Sequence, residues 1–139
     1  NKRKTKQALS ILEQLKGTIW AKLDAGTQEY FKLISASNYN IDRIQSMIEQ
    51  LPAGVKLKIQ TCFMKVEGSP PSMNEIDSYI SRLKSIHQKH QIAEVQIYTI
   101  ARKPAQDFVS PLSLKEMQDL LAPLKKTELP VKFYSGAAD

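Results

Sequence analysis

The chain has 139 residues, 42% of them hydrophobic and 24% charged, with a formal net charge of +6. These values suit one soluble domain with a core of useful size. No stretch approaches the roughly 18 consecutive apolar residues that span a bilayer, and no signal-peptide hydrophobic region follows the start NKRKTKQ, so no membrane partner is expected.

Much of the positive charge sits in Lys2, Arg3, Lys4 and Lys6. No aromatic residue is interleaved there to stack on bases, so this run reads as the solvated start of a surface helix. The single cysteine, Cys62, excludes an intramolecular disulfide and fits a reducing cytoplasm.

Ala8, Ile11, Leu12 and Leu15 recur at helical spacing and predict the inner stripe of a first helix that stops at Gly17. Residues 18–24 form a first strand, after which Ala25-Gly26-Thr27 leads into a short amphipathic turn through Tyr30, Phe31 and Ile34. Asn40 is placed to cap a second long helix carrying Ile41, Ile44, Met47, Ile48 and Leu51, which Pro52 ends. A second strand covers 57–63, and residues 68–71 form a loop. Ser72 with Glu75 spells a capping box ahead of a third helix with the stripe Ile76, Tyr79, Ile80, Leu83 and Ile86. A third strand, 94–101, ends near Arg102, and Pro104 and Pro111 mark the loop beyond it. Ser113 with Glu116 spells another capping box before Leu114, Met117, Leu120, Leu121 and Leu124; Pro130 then introduces a last strand at 131–134.

The four strands start at residues 18, 57, 94 and 131, an interval of about 38 residues, which is the period of a repeated strand–helix unit. Crossovers of that length imply parallel strands and right-handed connections. A parallel sheet covered on both faces reads as continuous apolar runs. These strands instead alternate, with Lys22, Asp24, Lys58, Gln60, Gln96, Tyr98, Arg102, Lys132 and Tyr134 as the polar set. One face is therefore expected under helices and the other wet. Four strands do not close a barrel, whose usual minimum is about eight, so the architecture is an open sheet or a fragment of a barrel. An edge strand without a neighbour exposes backbone donors and acceptors, which makes dimerisation through the sheet edge a further expectation.

Several segments carry a family likeness in their order and spacing. They are Lys22-Leu23-Asp24-Ala25, Ile59-Gln60-Thr61-Cys62-Phe63 and the third strand from Val95 to Arg102, with the helix starts Pro-Ser-Met-Asn-Glu-Ile and Pro-Leu-Ser-Leu-Lys-Glu-Met. Together they resemble the later strands of radical S-adenosylmethionine (radical SAM) enzymes with a partial (β/α)6 TIM-type barrel, over most of the chain from residue 18 to 134. That family holds a [4Fe-4S] cluster on three cysteines spaced C-x3-C-x2-C, and its next strand ends in Gly-Gly-Glu. Neither motif is present here, and Cys62 alone does not hold a four-iron cluster. The resemblance therefore implies that 1–139, which starts at Asn1 rather than Met, is the C-terminal portion of such an enzyme. Its partner would be the missing N-terminal half-barrel, and the chain alone would be inactive. The family's Gly-x-Ile-x-Gly-x-x-Glu pattern is also not evident in residues 58–67, which leaves the adenine side without its usual contacts.

Residue roles follow the matched positions. Asp24 ends the matched fourth barrel strand, where the resemblance places a polar group on the cofactor's ribose or methionine end; a carboxylate accepts from two hydroxyls. Lys22 and Lys58 suit a carboxylate or phosphate, and Gln60 offers both donor and acceptor. Tyr98 lies in the same polar set, and Arg102 suits a bidentate clamp on a carboxylate. The same residues also suit interior polar side chains or strand-end surface charges.

Other signals are weaker. His87 and His90 share a helix turn at a spacing that holds metals, yet cations at a helix C-terminus are favoured by the dipole alone, and no metal is expected. Cys62 reads as a buried strand thiol, and Trp20 as core or cavity lining. No phosphate loop, Gly-x-Ser-x-Gly elbow or dinucleotide fingerprint is present. Two functional expectations result: part of a radical SAM enzyme acting on an unknown substrate, or a standalone α/β module that binds an anionic metabolite or RNA without catalysis.

Overall fold

Four parallel strands stand side by side in the order in which the chain makes them. In the computed structural model, which describes residues 2–35, 37–100 and 108–134, these are β1 (Thr18–Lys22), β2 (Lys56–Phe63), β4 (Ile92–Thr99) and β6 (Val131–Tyr134). Helix α1 (Lys2–Gln14) precedes β1; α2 (Gln28–Ile34) and α3 (Ile41–Glu49) lie between β1 and β2. Helix α4 (Met73–Lys89) links β2 to β4, and α5 (Leu114–Leu120) with α6 (Ala122–Lys125) links β4 to β6. The two-residue strands β3 (Lys65–Val66) and β5 (Val109–Ser110) form a separate antiparallel pair. Strands laid down in sequential order by right-handed crossovers carry all their connecting helices on one side.

Burial follows that topology. Leu57, Ile59, Val95 and Ile97 join Ile41, Ile76, Leu83, Ile86 and Leu121 in one core cluster. Their neighbours along the strands, Lys58, Gln60, Gln96 and Tyr98, are only half-buried. The register keeps the alternation in phase, with Ile59 beside Val95 and Gln60 beside both Lys22 and Gln96. A bulge helps: Leu57 pairs Ile92 but Lys58 pairs Glu94, so Ala93 is the extra residue. It resets the phase so that Ile92 and Val95 both turn to the helix side.

Local signals set the helix starts. Asn40 Oδ1 accepts from the N–H groups of Asp42 and Arg43, and Ser113 with Glu116 forms the complete capping box. Ser72 forms only half of one. Its Oγ accepts from Glu75 N, but the Glu75 carboxylate turns away to the loop after β1. The stripe of α4 is buried as expected. The stripe of α1 is not: none of its described residues is buried, and Ile11 and Leu15 are 55% and 74% exposed. Helical periodicity identified the helix, but its apolar stripe is not covered among the described residues.

The open sheet has β1 and β6 as its edges among the described residues, and it is not a closed barrel. No helix among them is long and apolar enough to cross a membrane. The β3–β5 pair escaped the sequence reading because two-residue strands carry no periodicity. Val66 turns back on Ser69 through Glu67 and Gly68, both at positive φ, and Lys65 Nζ reaches Glu116 Oε1 at 3.3 Å to tie the pair to α5.

Candidate functional site

The side of the sheet opposite the core, which no helix covers among the described residues, carries three cross-strand rows of side chains. Nearest the amino ends of the strands, Trp20, Lys58 and Glu94 are register partners. Next come Lys22, Gln60, Gln96 and Lys132. At the carboxyl ends stand Cys62, Tyr98 and Tyr134, joined by Asp24 just past the end of β1. Lys22, Lys58, Gln60 and Tyr98 thus share one face with Asp24, as the alternation requires. Arg102 lies outside the described residues.

The charges of this face are answered locally. Lys22 Nζ stands 3.6 Å from Asp24 Oδ2, and Lys132 Nζ 3.2 Å from Glu94 Oε2. Lys58 Nζ sits 4.7 Å from the centroid of the Trp20 ring, a cation–π contact. Gln96 Nε2 donates to Glu94 Oε1, which with Lys132 holds that carboxyl below its usual range, against the opposing effect of desolvation. Asp24 behaves oppositely. Burial pushes its carboxyl up, and the Cys62 N–H and Lys22 only partly offset this. The Asp24 charge in turn raises Lys22. The Cys62 thiol is pushed up to about 11, first by burial and then by Asp24, so it is a poor nucleophile at neutral pH.

Asp24 is held by the sheet itself. Cys62 N donates to Asp24 Oδ1 at 2.9 Å, so the side chain continues the ladder where β1 turns away. The loop that follows is pinned from α4. The Glu75 carboxylate, in a residue 3% exposed, accepts from Gly26 N, from Thr27 N at 3.1 Å and from Thr27 Oγ1 at 2.7 Å. Arg82 Nε donates to the Gly26 carbonyl, while its Nη1 reaches Asp42 Oδ1 at 2.7 Å and Gln45 Oε1 at 2.8 Å. One residue before Asp24, the Leu23 carbonyl accepts from Thr61 Oγ1 at 2.8 Å, and Thr61 also bonds the Tyr79 hydroxyl. The sequence reading missed Glu75 and Arg82 as contributors here. Glu75 carried a signal, but its position three residues after Ser72 pointed to a capping box.

The remaining signals resolve structurally. His90 Nε2 lies 2.9 Å from the Pro52 carbonyl, and His87 Nδ1 accepts from Ile92 N at 3.0 Å, so each ring bonds the backbone. Among the described residues no group of three or more His, Cys, Asp or Glu is placed to hold a metal ion. Trp20 belongs to the open face and is 46% exposed.

No family model matches the chain, and no curated protein or solved structure matches it.

Proposed function

We propose that this chain forms part of the wall of a partial (β/α)6 barrel in a radical SAM enzyme, with the open sheet face turned toward cofactor and substrate. The observation that carries the reading is the three-row polar ladder on the side of a sequentially ordered parallel sheet opposite its helices. In βα barrels ligands sit at the carboxyl ends of the strands, where Asp24 and Tyr98 stand, with Gln60 in the row before them. The likeness of the strand sequences supplies the particular family.

The two cofactors differ in how this chain suits them. The donor set fits S-adenosylmethionine: Asp24 has acceptor capacity left for ribose hydroxyls or an amino group, Gln60 donates and accepts, and the Tyr98 hydroxyl offers a donor to a carboxylate. It does not fit the [4Fe-4S] cluster, whose thiolates would come from a partner segment, since Cys62 is the one cysteine of the chain. With both groups bound, the chemistry supplied would be one-electron reductive cleavage of S-adenosylmethionine, the electron coming from the reduced cluster and methionine leaving, to abstract hydrogen from a substrate. Within that scheme, the residues of this chain bind and orient.

The stripe of α1 and the outer edge of β1, both uncovered among the described residues, support the same reading. A further parallel strand and its helix, added beside β1, would cover Ile11 and Leu15 and satisfy the edge. The competing module for an anionic metabolite or RNA draws less support, because Lys22 and Lys132 are each paired with a carboxylate and Lys58 lies over Trp20.

The test is an extended chain that carries an upstream C-x3-C-x2-C segment, reconstituted with iron and sulfide and assayed for 5′-deoxyadenosine. Product is expected; a reconstituted, reduced protein that yields none sinks the proposal.

A further inference from the structure

The five residues from Leu23 to Thr27 are pinned far more densely than a surface connection requires. Leu23 N donates to the Gln60 carbonyl, and the Leu23 carbonyl accepts from Thr61. Asp24 accepts from Cys62 N, Gly26 is held at both its N–H and its carbonyl, and Thr27 at both its N–H and its hydroxyl. Gly26 also lies against the backbone of α4, where an added Cβ would come within 2.5 Å of the Glu75 carbonyl oxygen. Loops between strand and helix are ordinarily the mobile part of a βα unit. Here a buried carboxylate and a half-buried guanidinium are committed to one loop, and buried charges are costly unless such hydrogen bonds satisfy them.

What this arrangement fixes is the exit of β1, and the one functional side chain at that exit is Asp24. It stands two residues before Gly26, and its carboxylate continues the ladder by accepting from Cys62 N. If residues 25–27 swing, the backbone of Asp24 swings with them, and the carboxylate leaves both Cys62 and the row containing Tyr98. We infer that Glu75, with Arg82, is a positioning residue: it clamps residues 25–27 so that the Asp24 carboxylate stays aimed at the ligand on the open face. The inference rests on reading that face as a ligand site, and it adds the device that holds the site's carboxylate in place.

Glutamine at position 75 keeps the size of the side chain but turns an NH2 group toward one of the loop's donors, so Glu75→Gln breaks the clamp at modest steric change. Thr27→Val removes one of the bonds to Glu75, and Thr27→Ser retains it. The measurement is amide hydrogen exchange of the chain by NMR, with the amide of Val95 in the centre of β4 as the internal standard for global stability. Glu75→Gln and Thr27→Val are expected to lower protection of the Cys62 amide at least about tenfold relative to Val95, and Thr27→Ser to restore it. The Asp24 carboxyl should also titrate closer to its ordinary value in Glu75→Gln, because a freed carboxylate meets water. Unchanged Cys62 protection and an unchanged Asp24 titration, with Gly26 and Thr27 freed, overturn the inference, since the loop and Asp24 are then independent.

A second arm uses the extended, reconstituted chain. There Glu75→Gln should raise the KM for S-adenosylmethionine about tenfold with a smaller change in kcat, the sign of weakened cofactor positioning. An active wild type whose KM is unmoved by the substitution counts against the inference. An inactive wild type counts against the radical SAM reading instead, and the exchange arm then decides the positioning by itself.

Discussion

The carboxylate of Asp24 accepts the backbone N–H of Cys62 at 2.9 Å, and this bond joins Asp24 to the carboxyl-end row of the open face. The bond does not make the charge favourable. Burial raises the Asp24 carboxyl above its ordinary value despite the N–H and Lys22, so the folded state binds the proton more tightly than the unfolded one. Stability from such a group is full below the unfolded value and is lost as pH rises through the folded one. Once ionised, Asp24 therefore costs stability rather than adding to it.

Asp24→Asn tests this. Asparagine keeps an Oδ1 acceptor for Cys62 and removes the charge. Urea melts at pH 7 should show the variant at least as stable as the wild type, with the difference shrinking as the pH falls toward the ordinary carboxylate value of about 4. A loss of about 1 kcal/mol or more at pH 7 would show that the charge itself supports the fold.

Much of this arrangement was legible in the sequence, for definite reasons. Period-two alternation in 57–63 and 94–101 told Lys58, Gln60, Gln96 and Tyr98 from Leu57, Ile59, Val95 and Ile97, because a one-residue slip would bury lysines under the helices. The buried stripe of α4 followed from its spacing in the same way. The clamp did not follow, since Glu75 meets Gly26 and Thr27 across 49 and 48 residues of chain, and no local pattern encodes such a contact. Nor did the exposure of α1. An apolar stripe states that a helix needs a partner, but not where the partner is.

Gly26→Ala should be costly even though the substitution is small. An added Cβ would meet the backbone of α4 at Tyr79 N, Glu75 O and Ser78 C, and backbone atoms do not yield as a flexible side chain does. The expected loss is about 1–3 kcal/mol, as for overpacking in a core. Denaturant melts with an unchanged midpoint would mean that the loop moves off α4 without penalty.

Iron binding tests the proposed division between this chain and a partner segment. With Cys62 as its one cysteine, and that thiol pushed up to about 11, the isolated chain should bind no stoichiometric iron after anaerobic reconstitution. Iron analysis and the visible spectrum check this. A brown protein with iron–sulfur absorbance would require thiolates shared between chains and would overturn the division of roles.

Two leucines make the last prediction, because they answer the same substitution in opposite ways. Leu121 is 0% exposed at the end of α5, within the core cluster, so Leu121→Ala should destabilise the chain by about 2–5 kcal/mol. Leu15 is 74% exposed just past α1, so Leu15→Ala should change the chain's stability by no more than about 0.5 kcal/mol. In an extended chain that supplies the strand and helix beside β1, Leu15 would become a core residue, and its truncation should then cost about 2 kcal/mol or more. Denaturant melts of both leucine variants in both chain lengths measure the contrast directly. If Leu15→Ala stays neutral in the extended chain, the surface of α1 is not where the partner segment docks. A large loss in the short chain would instead mean that α1 already packs on the sheet.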